Sequence, residues 1–140
     1  MSPDPLALHD VIHVAEFRAA LRRFLRRSER ISRAAGLTPQ RYLLLLMIKG
    51  ATDLSEQSTV TELSERLQLA QSTVTELVSR AQEVGLLVRE VSSSDARVAN
   101  IRLSAEGERR LARAFTNLAS ERRDLREAFE HLEEELSPAS

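Results

Sequence analysis

Apolar residues recur every three or four positions along several stretches of the chain, and three of these stretches end near a glycine. From about Asp10 to Ala35, the positions Val14, Phe17, Leu21, Phe24, Leu25, Ser28 and Ile31 share one stripe. That spacing predicts an amphipathic helix, stopped by Gly36. Thr38-Pro39 reads as an N-cap followed by proline at the first helical position. The helix it opens is apolar nearly all round from Tyr42 to Ile48, is expected to be buried, and stops at Gly50. Residues 51–58 read as a polar connector. Thr59-Val60-Thr61-Glu62 fits a capping box, in which the Thr and Glu side chains satisfy each other's backbone N–H groups. A short helix follows with Leu63 and Leu67 inward. A turn at Gln68–Ala70 leads to a second helix, about Gln71 to Val84. Its inward face is Val74, Leu77, Val78, Ala81 and Val84. Its outward face is Thr73, Thr75, Glu76, Ser79, Arg80 and Glu83, and Gly85 ends it.

The period then changes. Leu86 to Val91 is strand-like, Ser92-Ser93-Ser94-Asp95 is turn chemistry, and Val98 to Leu103 alternates as a second strand. This predicts a hairpin with a polar tip carrying Arg97. Ser104 caps a helix reaching about Ser120, and a last helix runs from about Arg122 to Leu136. Two tightly linked helices followed directly by a hairpin describe a winged helix-turn-helix. The expected fold class is mainly α with a small β-hairpin wing.

The chain has 140 residues, enough for one domain with an extension. Aromatics make up only 4%, so the core must be built from Leu, Val, Ile and Ala. There is no Cys, which excludes disulfides, thiolate metal sites and thiol-oxidation sensing. The longest apolar run, Tyr42–Ile48, is too short to span a bilayer, and no apolar leader segment is visible near Asp4 and Asp10. A cytoplasmic protein without a membrane partner is the expectation. The formal net charge of −1 excludes a uniformly basic coat but not a local basic patch.

A helix fits the major groove of B-DNA, where base edges present distinguishable donors and acceptors. A hairpin beside it can place an arginine in the minor groove or on phosphate. The outward start of the second helix offers Ser72, Thr73, Thr75 and Glu76, all hydrogen-bonding groups. Several further strings lie in order along the chain. They are Leu37-Thr38-Pro39-Gln40-Arg41-Tyr42, Ser72-Thr73-Val74-Thr75, Glu83 to Arg89, Asp95-Ala96-Arg97, and Ile101-Arg102-Leu103-Ser104-Ala105-Glu106-Gly107. Together they resemble the MarR family of bacterial transcription regulators.

The resemblance implies a homodimer, with dimerisation helices in residues 1–36 and 104–140 and a DNA-binding lobe in residues 37–103. It places Ser72, Thr73, Thr75 and Glu76 on DNA and makes Arg97 the wing arginine, with Asp95 holding it by an ion pair. It also implies a ligand-responsive repressor reading a near-palindrome, with half-sites roughly 10 base pairs apart. Small aromatic or anionic effectors bind many members between the dimerisation helices and the lobe. Arg18, Arg22, Arg41 and Tyr42 can supply the cation and ring contacts for one. The alternative reading is core packing for Tyr42 and solvated faces for the arginines. The chain departs from the family pattern in four places. Gln68 stands where Gly is usual, Ala70 where a capping Ser is usual, Glu76 where a basic residue is frequent, and Ala96 where the wing has a second Arg.

Charge is unevenly spread. Glu16–Arg33 holds seven Arg against two Glu, and Glu121–Leu136 three Arg against seven acids. Either these are two solvated faces, or the helices meet and the charges set their register. His9 and His13 lie four apart, a metal-ligand spacing, but His131 is the only further His, and no metal ligand set or cofactor is assigned. No phosphate loop, nucleophile elbow or triad is visible, so an enzyme is not expected. Two alternatives remain, a protein-interaction module of the same fold without DNA binding and a metal-responsive regulator.

Overall fold

The computed structural model describes residues 6–91 and 98–135. The chain divides into two compact units. One runs from Ser32 to Thr116; the other joins the chain up to Ile31 with the chain from Asn117 onward.

The elements, in order, are α1 (Leu8–Ala34), α2 (Pro39–Lys49), β1 (Gln57–Ser58), α3 (Val60–Leu67), α4 (Gln71–Glu83), β2 (Leu87–Val91), β3 (Ala99–Leu103), α5 (Ala105–Asn117) and α6 (Ala119–Glu135). The helix starts follow the capping chemistry of the sequence. Thr38 Oγ1 accepts from the Arg41 N–H at 3.1 Å with Pro39 behind it. Thr59 and Glu62 complete both halves of the capping box, with the Glu62 N–H donating to Thr59 Oγ1 at 3.2 Å. Ser104 accepts from the Gly107 N–H at 3.1 Å and donates through the same hydroxyl to the Gly85 carbonyl at 2.6 Å. At the other end of α2, Arg66 of α3 donates one guanidinium nitrogen to the carbonyls of Met47 (2.9 Å) and Gly50 (3.2 Å). Two C-terminal carbonyls that the helix itself leaves open are thereby satisfied.

The core of the lobe is aliphatic. Leu44, Leu45 and Ile48 of α2, Leu63 of α3, Val74, Val78 and Ala81 of α4, Leu86, and Ile101 of β3 are fully buried. Gly107, in the first turn of α5, sits against the backbone of Leu86: a Cβ there would lie 2.3 Å from the Leu86 carbonyl oxygen. Only glycine lets α5 start this close to the strand.

Three details differ from the sequence reading. The connector 51–58 contributes a strand, so the wing is part of a three-stranded antiparallel sheet ordered β1-β3-β2. Gln57 pairs with Arg102 and Ser58 with Ile101, while β2 pairs with β3 from Leu87↔Leu103 to Val91↔Ala99. Val84 is half-exposed because it is the C-cap, past the end of the inward stripe. Leu43 also remains half-exposed on α2, which is therefore buried on most of its surface rather than all round.

In the other unit, the α1 residues up to Ile31 and α6 meet through side chains. Phe17 packs edge-to-face on Phe129, ring centroids 5.7 Å apart. Arg23 and Arg27 line one cavity with Glu121 and Asp124, so the basic and acidic stretches share a groove. Val11, Ile12, Val14, Leu25 and Phe129 keep much of their apolar surface open. No helix among the described residues is long and apolar enough to cross a membrane.

Candidate nucleic-acid interface

The helix-turn-helix turn is set by Gln68, whose backbone takes the left-handed conformation (φ 56°, ψ 46°). A Cβ in that region costs on the order of 1–3 kcal/mol when nothing compensates. Here the Gln68 amide donates to the Glu65 carbonyl at 2.6 Å, and the Leu69 carbonyl accepts from Ser64 Oγ at 2.5 Å. These side-chain bonds hold the turn that glycine would make by freedom alone. Ala70, the N-cap of α4, offers no side-chain cap. The first N–H groups of α4 are left for water or an oxyanion.

Val74, Val78 and Ala81 pin one face of α4 at 0% exposure. The rotation this fixes leaves Ser72, Thr73, Thr75 and Glu76 exposed together on the first turns. Glu76 is engaged within the helix, accepting from Arg80 Nη2 at 2.5 Å. Glu76 is thus presented as half of an exposed ion pair rather than as a bare charge.

Beside this face lies a groove of about 380 Å³ lined by Thr59, Thr61, Gln71, Thr75, Arg89 and Ala99, among others. It gathers the start of α3, the start of α4 and the sheet around the Arg89 cation. From the sequence Arg89 belongs to the strand-like segment Leu86 to Val91, with no site role assigned to it. The available signal is a base placed in the strand directly after α4. Across the sheet, Arg102 is committed to an ion pair with Glu90.

The remaining candidates are placed as follows. Asp95 and Arg97 lie outside the described residues. Arg18 and Arg22 are exposed on α1, in the unit ending at Ile31. Arg41 and Tyr42 belong to the lobe, with Arg41 half-buried and Tyr42 left with 7% of its surface. His9, His13 and His131 come together within one protomer, with ring centroids 4.4 Å apart for the first pair and 6.1 Å for His13 and His131. Among the described residues, however, no three His, Asp or Glu side chains stand where they could hold a metal ion.

Near β1, Lys49 donates to Glu108 at 2.9 Å and pairs with Glu56. The hydrogen bonds to Glu56 and then Glu108 raise its pKa above the ordinary lysine value.

Comparisons with known proteins agree with this geometry. A search of curated proteins found no match. The chain is similar to AbsC of Streptomyces coelicolor, a MarR family transcriptional regulator, at 18% identity and a TM-score of 0.71, covering 97% of this chain and 86% of that one. It is similar to a single-substitution mutant of S. aureus MepR bound to an oligodeoxyribonucleotide, at 21% identity and a TM-score of 0.65, covering 89% and 83%. It is also similar to wild-type MarR of E. coli in its apo form, at 17% identity and a TM-score of 0.63, covering 96% and 88%. The profile of the MarR family matches residues 35–98, from the end of α1 to the start of β3. The lobe built around α3, α4 and the sheet thus matches the MarR family profile and shares the winged helix-turn-helix fold of these structures.

Proposed function

We propose that the chain is a transcription regulator that binds double-stranded DNA as a homodimer, with α4 in the major groove and the wing on the flanking backbone. The observation that carries this reading is the exposed Ser72-Thr73-Thr75-Glu76 face, held by a fully buried apolar face and flanked by Arg89. Hydroxyls and a carboxylate read base edges, whereas the arginine positions phosphate. Arg97 acts at the wing and Asp95 supports it. The operator is a near-palindrome, matching the two-fold symmetry of the dimer. The half-open apolar side chains of α1 and α6 supply the dimer contact, and the terminal charge asymmetry sets its register.

Regulation is repression relieved by a small aromatic or anionic effector, for which Arg18, Arg22 and Arg41 supply cations. Ligand favouring a mismatched spacing of the two recognition helices lowers DNA affinity by that preference.

The test is a titration of the chain's own promoter region by fluorescence anisotropy. Arg97→Ala weakens binding at least tenfold, about 1.4 kcal/mol. Thr73→Ala with Thr75→Ala reduces the preference for the operator over random DNA. A wild-type chain that binds the promoter fragment no better than random DNA would refute the reading and favour an interaction module of the same fold. Removal of residues 121–140 yields monomers or aggregates by light scattering; a clean dimer would refute the assigned interface.

A further inference from the structure

Within the Ser32–Thr116 unit, the last turn of α1 and the Glu106–Arg113 stretch of α5 line an open cavity of about 370 Å³. Four arginines line it, Arg33, Arg109, Arg110 and Arg113, together with Gly36, two alanines and one acid, Glu106. Three of the arginines and the acid are spaced at i, i+3, i+4 and i+7 on α5, so they form a single stripe along the helix. Arg33 comes from α1, more than seventy positions earlier in the chain.

Glu106 neutralises one of these four charges and orders two of the guanidinium groups. Its Oε2 accepts from Arg109 Nη2 at 2.5 Å and from Nε at 3.1 Å; its Oε1 accepts from Arg110 Nε at 2.8 Å. Arg110 also donates through Nη1 to the Gly36 carbonyl at 2.9 Å, which ties α5 to the end of α1. The Arg110 and Arg109 hydrogen bonds hold the Glu106 carboxyl below its usual range, so it stays ionised. The cavity is left with three positive charges in excess and, among the described residues, no second carboxylate on its lining. Such an excess repels itself unless an anion joins it. Guanidinium forks match the paired oxygens of a phosphate, and a dianionic phosphate matches the excess better than a single carboxylate.

We propose that this arginine cradle is a phosphate-binding site, with Arg109 and Arg110 held ready by Glu106 and with Arg33 and Arg113 closing on the bound group. The phosphate is either a free phosphoryl group or part of the DNA backbone, and only the latter case rests on the DNA-binding reading above.

The test uses the full chain and the double variant Arg33→Gln/Arg113→Gln, which leaves every Glu106 and Gly36 hydrogen bond in place. In the first arm, inorganic phosphate is added against chloride at equal ionic strength, and thermal unfolding and the ³¹P line width are followed. In the second arm, DNA affinity is measured across a salt series. A free phosphoryl site gives a phosphate-specific rise in Tm and line broadening for wild type, both lost in the variant, with an unchanged salt slope. A backbone site lowers the slope of log affinity against log salt by about two in the variant, one for each lost contact. A wild type indifferent to phosphate, combined with a variant whose salt slope is unchanged, overturns the proposal. If the wild type binds no DNA, the regulator reading fails on its own and the phosphate arm alone decides the cradle.

Discussion

Gly107→Ala tests the packing of the wing against α5 by the sign of its effect. In a helix interior, exchanging Gly for Ala stabilises by roughly 1 kcal/mol through backbone entropy alone. At position 107 the new Cβ would stand 2.3 Å from the Leu86 carbonyl oxygen, 3.3 Å from the Leu86 carbonyl carbon and 3.4 Å from Leu103 Cβ. Ordinary contact begins near 3.4 Å, so about 1 Å of overlap must be relieved. The carbonyl cannot simply rotate away, because it accepts the Ser104 N–H at 3.0 Å. Relief therefore lifts the first turn of α5 off Leu86 and loosens the Ser104 cap. Overpacking of this kind costs about 1–3 kcal/mol, and a lost hydrogen bond about 1 kcal/mol more. After the helix-propensity gain, the net effect is a destabilisation of roughly 1–3 kcal/mol. Thermal unfolding at fixed protomer concentration then shows a Tm lower by something on the order of 3–10 °C. A Tm equal to or above wild type would show that α5 does not sit this close to the strand, and the packing argument would fail.

Three further outcomes are expected. Thr59→Ala removes the hydroxyl half of the α3 capping box, the acceptor for the Glu62 N–H, and lowers stability by about 1 kcal/mol in urea titration; an unchanged midpoint would mean that the Thr59 hydroxyl contributes nothing there. Lys49→Met removes a group whose folded pKa is raised, so the pair's contribution is fully present below the ordinary lysine value and is lost as pH rises through the folded value. The stability gap between wild type and variant, an exposed pair's few tenths to about 1 kcal/mol, therefore closes only at strongly alkaline pH; a gap that closes near neutrality contradicts the assignment. Arg89→Ala weakens DNA binding across all sequences alike and reduces the salt slope by about one, whereas a change in sequence preference instead would move Arg89 from phosphate to base readout.

The parts of this fold that depend on neighbours in sequence were readable from the chain. Periodicity located the helices, and the Thr38, Thr59 and Ser104 caps marked starts that the hydrogen bonds confirm. The pinned face of α4 was legible because Val74, Val78 and Ala81 fall on one helical stripe. What depends on distant residues was not legible. β1 is two polar residues long and exists only because Gln57 and Ser58 find Arg102 and Ile101 across the sheet. The approach to it turns through left-handed backbone at Leu54 and Glu56, with no glycine to signal a turn. The cradle of Arg33 with Arg109, Arg110 and Arg113 joins residues from opposite ends of the Ser32–Thr116 unit. Arg89 gains its meaning only from Thr61 and Gln71, which the fold brings beside it.

Lys49 is the sole lysine of the chain. Acylation of lysine, whether enzymatic or by an amine-selective reagent, therefore has a single side-chain address, at the point where α2, the approach to β1 and α5 are tied through Glu56 and Glu108. Acetylation there would cancel the charge, release both carboxylates and free the approach to β1 from α5. One small mass increment would thus report, and at the same stroke loosen, the joint between the core helix and the edge of the sheet.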